Sequence, residues 1–383
     1  MDPPARPPRG WTRPCLWAVA ACLFLSLAGL HYDVGRHLVS PRDAFWSPTH
    51  LLIYVPLLSA EAVTLACLFT FLRRPEGAGD GPGPGVRLSF LARPVPVPLL
   101  FIAVGLFLVP LGGLFDQWWH ANLGERETLY SLSHIFTIMG GAMAGLGVLL
   151  AMGRAPGGES DAFIPLAFGG FLVLAGLMTG PFDYAGSEAD YDWFLEHRAP
   201  GGDPTLNRFE TSRAWGLHRQ NGLLFPPVAA AATLPLLALL RRTSSRRWAA
   251  TEAALFYTAA RALLAFALSP GTDRWPFLAP PLPVVVPALL ADLSARRKRG
   301  PAATGGAAGF AFGLALAATT GAWHPLGLAG AAAAGAAGTW AARPVAALLA
   351  GVTPRQAVGL VLLLGAAVPL ALGMFDLKVR GLV

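Results

Sequence analysis

"HLLIYVPLLSAEAVTLACLFTFLRR", residues 50–74, runs from a histidine to a pair of arginines. Between them Glu61 is the one charged side chain, in a stretch long enough to cross the ~30 Å hydrocarbon core of a bilayer as a helix. Similar runs recur along the whole chain, which has 383 residues, 54% of them hydrophobic and 13% charged. Mean hydropathy is +0.51. Soluble domains carry about a quarter charged residues, so this composition excludes one and makes the lipid bilayer the chain's principal partner.

The fold class that follows is all-α, a polytopic transmembrane helix bundle of ten or eleven spans. They are predicted at 14–32, 48–72, 97–119, 129–152, 162–182, 221–240, 249–269, 277–294, 303–322, 326–349 and 355–375. The first has a basic start but no clean small-x-small cleavage site, and reads as a retained helix rather than a signal peptide. Residues 73–87, "RRPEGAGDGPGPGVR", read as a flexible loop. Residues 1–242 carry the ionisable motifs, whereas 243–383 are rich in small residues, as in "AGAAAAGAAG" (329–338), which suit close helix packing. Cys15, Cys22 and Cys67 fall in or beside apolar helices and read as packing residues.

Arginine sets the orientation. Arg6, Arg9 and Arg13 precede span one, and Arg73–Arg74, Arg154, Arg241–Arg242 with Arg246–Arg247, and "RRKR" (296–299) follow even-numbered spans. If the spans alternate, all of these land on one side, which the positive-inside rule makes cytoplasmic; Arg343 fits this pattern less well. The expected location is the cytoplasmic membrane of a bacterium, with the N-terminus inside. The formal charge of +7 then needs no nucleic acid. All eight histidines fall at or near the opposite, extracytoplasmic face.

Those histidines form a pattern that repeats. Residues 28–50 read "AGLHYDVGRHLVSPRDAFWSPTH" and residues 112–134 read "GGLFDQWWHANLGERETLYSLSH". Each holds Asp-x3-His and, 13 or 14 residues later, a second histidine that opens the returning helix: Asp33, His37 and His50, then Asp116, His120 and His134. Asp and His four apart share one helix face and can meet a single ion. Two imidazoles and a carboxylate suit copper, zinc or iron(II) with a position left for water or substrate. The bland alternative is a solvated pair of helix ends whose side chains bond their own loops. The repeats sit near 14–72 and 97–152, with a looser third copy over 162–240 whose outer loop carries Asp183 and His197 and whose His218 precedes span six.

Asp33-x3-His37-x12-His50 resembles the copper-ligand motif in the C subunit of particulate methane and ammonia monooxygenases. The resemblance covers about twenty residues per copy, and the second copy has one extra residue. It implies copper at Asp33, His37 and His50, and by position at Asp116, His120 and His134. The chain departs from that family in its larger number of spans, its duplicated motif and its lack of a cupredoxin-like domain.

Other candidates are weaker. Glu61 and Arg261 are charges at membrane depth and could form an ion pair, either a packing brace or part of a proton path. Tyr54 lies one turn beyond His50, and Trp46, Trp118 and Trp119 flank the motifs. P-loop, dinucleotide-binding, HExxH, CxxC and GxSxG signatures are absent. The expected function is a membrane metalloprotein with an outer copper site, oxidising a small or lipophilic substrate with dioxygen. The alternatives are a transporter capturing protons or metal ions, and a haem protein with axial His50 and His134.

Overall fold

The computed structural model describes residues 13–37, 46–73, 85–86, 95–123, 132–152, 222–244, 246–268, 282–294, 300–321, 323–350 and 353–379. Over these the chain is almost wholly helical: α1 (Arg13–His37), α2 (Pro48–Leu72), α3 (Val97–Leu123), α4 (Leu132–Met152), α5 (Phe225–Thr243) and α6 (Ala249–Leu268). The remaining helices are α7 (Val285–Ser294), α8 (Pro301–Thr320), α9 (Pro325–Ala350), α10 (Pro354–Leu362) and α11 (Val368–Val379), the last two joined by a π turn over Leu363–Ala367. The span expected at 162–182 lies outside the described residues.

Among the described residues, four segments, Pro48–Thr70, Val97–Trp119, Pro301–Thr319 and Arg355–Met374, are long and apolar enough to cross a membrane. Their outward surface is apolar as well as their core: Val55, Leu58, Phe69 and Phe107 are all exposed. A water-soluble helix turns polar residues outward, so apolar side chains on both faces mark a membrane protein. Pro56, Pro110, Pro235 and Pro344 lie inside helices, tolerated where neighbouring helices supply partners for freed backbone groups.

The loop expected over 73–87 is not wholly irregular. At its end β1 (Gly85–Val86) pairs antiparallel with β2 (Val95–Pro96), Gly85 opposite Pro96 and Val86 opposite Val95. The pair is short enough to form despite a proline, which needs no ladder bond at an edge.

Glycines set how closely the helices approach. Along α3 and α4 a methyl group added at Gly140 would lie 2.7 Å from the Gly105 carbonyl oxygen, and one at Gly147 2.7 Å from the Pro98 carbonyl oxygen. The two helices are therefore antiparallel and in backbone contact. Gly29, late in α1, lies on Leu52, early in α2, and Cys15, early in α1, lies beside Cys67, late in α2, so these helices form a second antiparallel pair that shares an apolar cluster of Leu16, Val19, Leu23, Leu57 and Ala60. A third unit places α5 and α9 side by side and parallel, Gly330 against Pro227 and Gly338 against Pro235, with α8 running antiparallel to α9 through Gly305 and Gly309. Small residues let helices gain van der Waals contact where burial from water supplies no force.

The bundle has two chemically distinct ends. Arg241, Arg242 and Arg343 line one cavity at the end where α5 and α7 finish and α8 begins. Arg343, which looked out of place on sequence, therefore joins the other arginines. The reason is that α9 runs parallel to α5 and continues to Ala350, so that Arg343 falls in its terminal turns. From this arginine end α10 starts beside β1. The chain then crosses to the opposite end, where Gly373 of α11 packs on Leu132 at the start of α4. The α3–α4 motif thus lies at the far end from the arginines.

At the arginine end one carboxylate ties three helices together. Asp292 of α7 is fully buried. It accepts hydrogen bonds from the Thr251 backbone N–H (2.8 Å), the Thr251 hydroxyl (2.7 Å) and, weakly, the Ala250 N–H (3.4 Å). The Arg241 Nε of α5 lies 3.1 Å from its other side, and Arg241 also donates to the Arg246 carbonyl in the α5–α6 turn. Asp292 so caps the first turn of α6 from another helix, where a negative charge meets the positive end of the helix dipole. Arg246 forms a bidentate pair with Glu252 (2.8 and 3.0 Å) on the same turn.

Candidate functional site

The second Asp/His motif closes on itself. Asp116, near the end of α3, and His134, in the first turn of α4, are brought together with His134 Nε2 3.0 Å from Asp116 Oδ1. The Ser133 hydroxyl donates to the same oxygen at 2.9 Å, and Ser133 itself is fully buried. Thr137 donates to the Ser133 carbonyl, holding that turn. The carboxylate therefore faces the N-terminal turn of α4.

Gly112 makes this approach possible. It lies one turn before Asp116 on the same helix face, and a side chain there would strike Thr137 Oγ1 and come within 2.9 Å of the Thr137 backbone nitrogen. Gly29 is placed likewise one turn before Asp33, and a methyl on it would lie 2.5 Å from the Leu52 carbonyl oxygen at the start of α2. In both pairs the helices touch backbone to backbone one turn below the motif.

In the first motif Asp33 and His37 lie in the last turns of α1, and His50 in the first turn of α2. The side chains of Asp33 and His37 lie outside the described residues. His50 is half-buried, and its backbone N–H donates to the Ser47 hydroxyl at 3.3 Å. Ser47 precedes Pro48, an N-cap followed by proline at the first helical position. Thr49 is buried and hydrogen-bonded to Ser47 at 2.7 Å. The Tyr54 ring neighbours both His50 and Trp46, its centroid 6.0 and 6.2 Å from theirs. At the other motif Phe115 stacks on Trp118 and meets Trp119 edge-on, each at 5.8 Å.

The remaining candidates divide simply. His120 is placed on α3 one turn beyond Asp116, with its side chain outside the described residues. Asp183, His197 and His218 lie outside them altogether. Glu61 is half-buried in mid-α2, and Arg261 is on α6 with its side chain not described. Among the described residues, which omit the side chains of Asp33, His37 and His120, no three His, Cys, Asp or Glu groups converge as metal ligands.

The pair that is described fits a metal ion in spacing. Two donors each ~2.0–2.1 Å from one ion, at angles between a right angle and tetrahedral, stand roughly 2.9–3.4 Å apart. The 3.0 Å between His134 Nε2 and Asp116 Oδ1 falls in that interval. It is equally the spacing of a hydrogen bond. Ser133 escaped the sequence reading, whereas Gly29 and Gly112 belong to the small-Gly-Leu stretch that opens each copy of the repeat. The signal was available: a hydroxyl residue precedes the later histidine in each motif (Thr49, Ser133), and a glycine stands four residues before each aspartate.

Compared with known protein families, with characterised proteins and with solved structures, the chain shows no significant match.

Proposed function

We propose that this chain is an integral membrane metalloprotein that binds copper at the outer rim of its α1–α2 and α3–α4 pairs. One observation supports the reading most directly: the contact of Asp116 with His134 joins the end of one helix to the start of the next, as a shared ligand set requires. Asp116, His120 and His134 would hold one ion, and Asp33, His37 and His50 a second. Copper bound there would supply activation of dioxygen for oxidation of a small or lipophilic substrate.

The protein's own residues account for the rest. The Ser133 hydroxyl orients the Asp116 carboxylate, the outer-shell support that fixes ligand geometry. Phe115 and Trp118 form an aromatic wall beside it, suited to an apolar substrate arriving from the lipid. Glu61, a half-buried carboxylate on an apolar helix, favours a second reading, a transporter with an outer capture site.

Metal analysis and optical and paramagnetic spectra of the purified protein test both. Copper retained by the wild type and lost in His134→Ala and Asp116→Ala carries the first reading. Protein that stays metal-free after incubation with copper overturns it and leaves the transporter. A strong Soret band would replace both with haem.

A further inference from the structure

Asp116 and His134 leave the opposite end of the molecule unexplained, and it holds a cavity of about 250 Å³. Arg241, Arg242 and Arg343 line it, together with Ser294, Thr304 and Thr339. The floor is apolar, formed by Leu234 and Leu237 of α5 and Ala308 of α8. No Asp or Glu is among the lining residues.

The charges do not cancel. Asp292 compensates Arg241. Among the described residues, neither Arg242 nor Arg343 has a carboxylate within ion-pair distance. Three guanidinium groups less one carboxylate leave two positive charges facing one space. Partial burial, and then the Arg343 charge beside it, pull the Arg242 guanidinium below its ordinary range. The start of α8 adds to the field. Its N-cap is Gly300, with no side-chain cap bond, and Pro301 and Thr304 of its first turn line the cavity. Two like charges kept side by side at an uncapped helix start form a site that an anion would stabilise.

We propose that this cavity is a binding site for a phosphate-bearing anion. Arginine forks match both carboxylates and phosphates, but a carboxylate offers two oxygens. A phosphate group has four oxygens, all free in inorganic phosphate and two of them ionic beside two ester oxygens in a phospholipid diester, so the forks and the Thr304 and Thr339 hydroxyls can share them. The apolar floor admits a hydrocarbon portion next to the headgroup. A phospholipid of the adjoining leaflet and a soluble phosphate share this chemistry, and the site is independent of any metal at the other end.

The test uses the full-length protein in mild detergent. Binding of inorganic phosphate is measured by calorimetry, and binding of phosphatidylglycerol against phosphatidylcholine by native mass spectrometry, for the wild type and for Arg242→Gln/Arg343→Gln. The expected result is binding of at least one phosphate-bearing probe, weakened tenfold or more in the double variant. Phosphate binding alone identifies a soluble ligand. Retention of phosphatidylglycerol over phosphatidylcholine, not displaced by phosphate, identifies a lipid. Arg343→Gln, at an exposed side chain, carries the same expectation should the double variant fail to fold. Absence of binding by the wild type to either probe, or binding within twofold of wild type in the variants, overturns the proposal.

Discussion

Replacing Asp292 by alanine removes the buried carboxylate to which α5, α6 and α7 all connect at the arginine end. The cost can be assembled from its partners. The Thr251 N–H, at 2.8 Å, loses its acceptor inside the bundle, about 1–3 kcal/mol for an unsatisfied buried donor. The Ala250 N–H, at 3.4 Å, is bonded too weakly to add much. The Thr251 hydroxyl can rotate to a carbonyl of its own helix. Arg241 loses its counter-ion but keeps the Arg246 carbonyl, and its side chain is 21% exposed, so part of its charge can be hydrated. Breaking a buried pair costs about 3–5 kcal/mol, and that relief puts the expected loss near the lower bound, about 3 kcal/mol. Asp292→Asn keeps one acceptor oxygen for Thr251 and should lose less. Arg241→Leu/Asp292→Leu removes both charges and should be more stable than the sum of its single changes predicts. Reversible unfolding in mixed detergent–SDS micelles measures all of these. A loss below about 1 kcal/mol in Asp292→Ala, or strict additivity in the double variant, refutes the account.

Glu252→Gln, by contrast, should cost under about 1 kcal/mol in the same assay, because the Arg246–Glu252 pair is more than a third exposed and solvent screens it. Gly112→Leu should separate α3 from α4 at the motif, costing about 1–3 kcal/mol by overpacking and weakening metal retention as much as His134→Ala does; wild-type metal content in that variant contradicts the geometry. Ser133→Ala should leave the fold intact while lowering metal affinity about 10–100-fold, the usual effect of removing outer-shell support, read by competition with a chelator. Cys67 is buried at the α1–α2 contact beside Cys15, whereas Cys22 is half-buried, so a membrane-permeant maleimide should label Cys22 faster than Cys67; equal labelling, read by mass spectrometry, counts against the α1–α2 packing.

Helix positions were legible because apolar length is a local property. The run from His50 to Arg73 became α2 almost residue for residue, and Asp33 and His37 fell on one helix, as their spacing predicted. What sequence could not convey was partnership. Asp292, in "ADLSARRKR", looks like a solvated helix end, yet it is buried because its acceptors are filled from residues 41 and 42 positions away. Ser133 is one of many serines until α3 is laid against α4. Arg343 was ambiguous because it falls inside the span expected at 326–349, and only its place beside Arg241 and Arg242 shows which end it serves. The strand pair of Gly85–Val86 with Val95–Pro96 is too short for any alternation to announce it.

The α5–α8–α9 unit bears on how the chain enters a bilayer. Of the three, only α8 is long and apolar enough to partition by itself; α5 ends in arginines and α9 is diluted by glycine and alanine. Yet α8 lies against both, backbone to backbone with α9. A strongly lipophilic helix flanked by two reluctant ones makes assembly and insertion a single event: α5, made first, must wait at the translocation machinery until α8 and α9 emerge to shelter it. A cysteine placed in α5 should therefore react with a water-soluble maleimide in ribosome–nascent chains truncated before residue 300, and be protected from it in the released full-length chain.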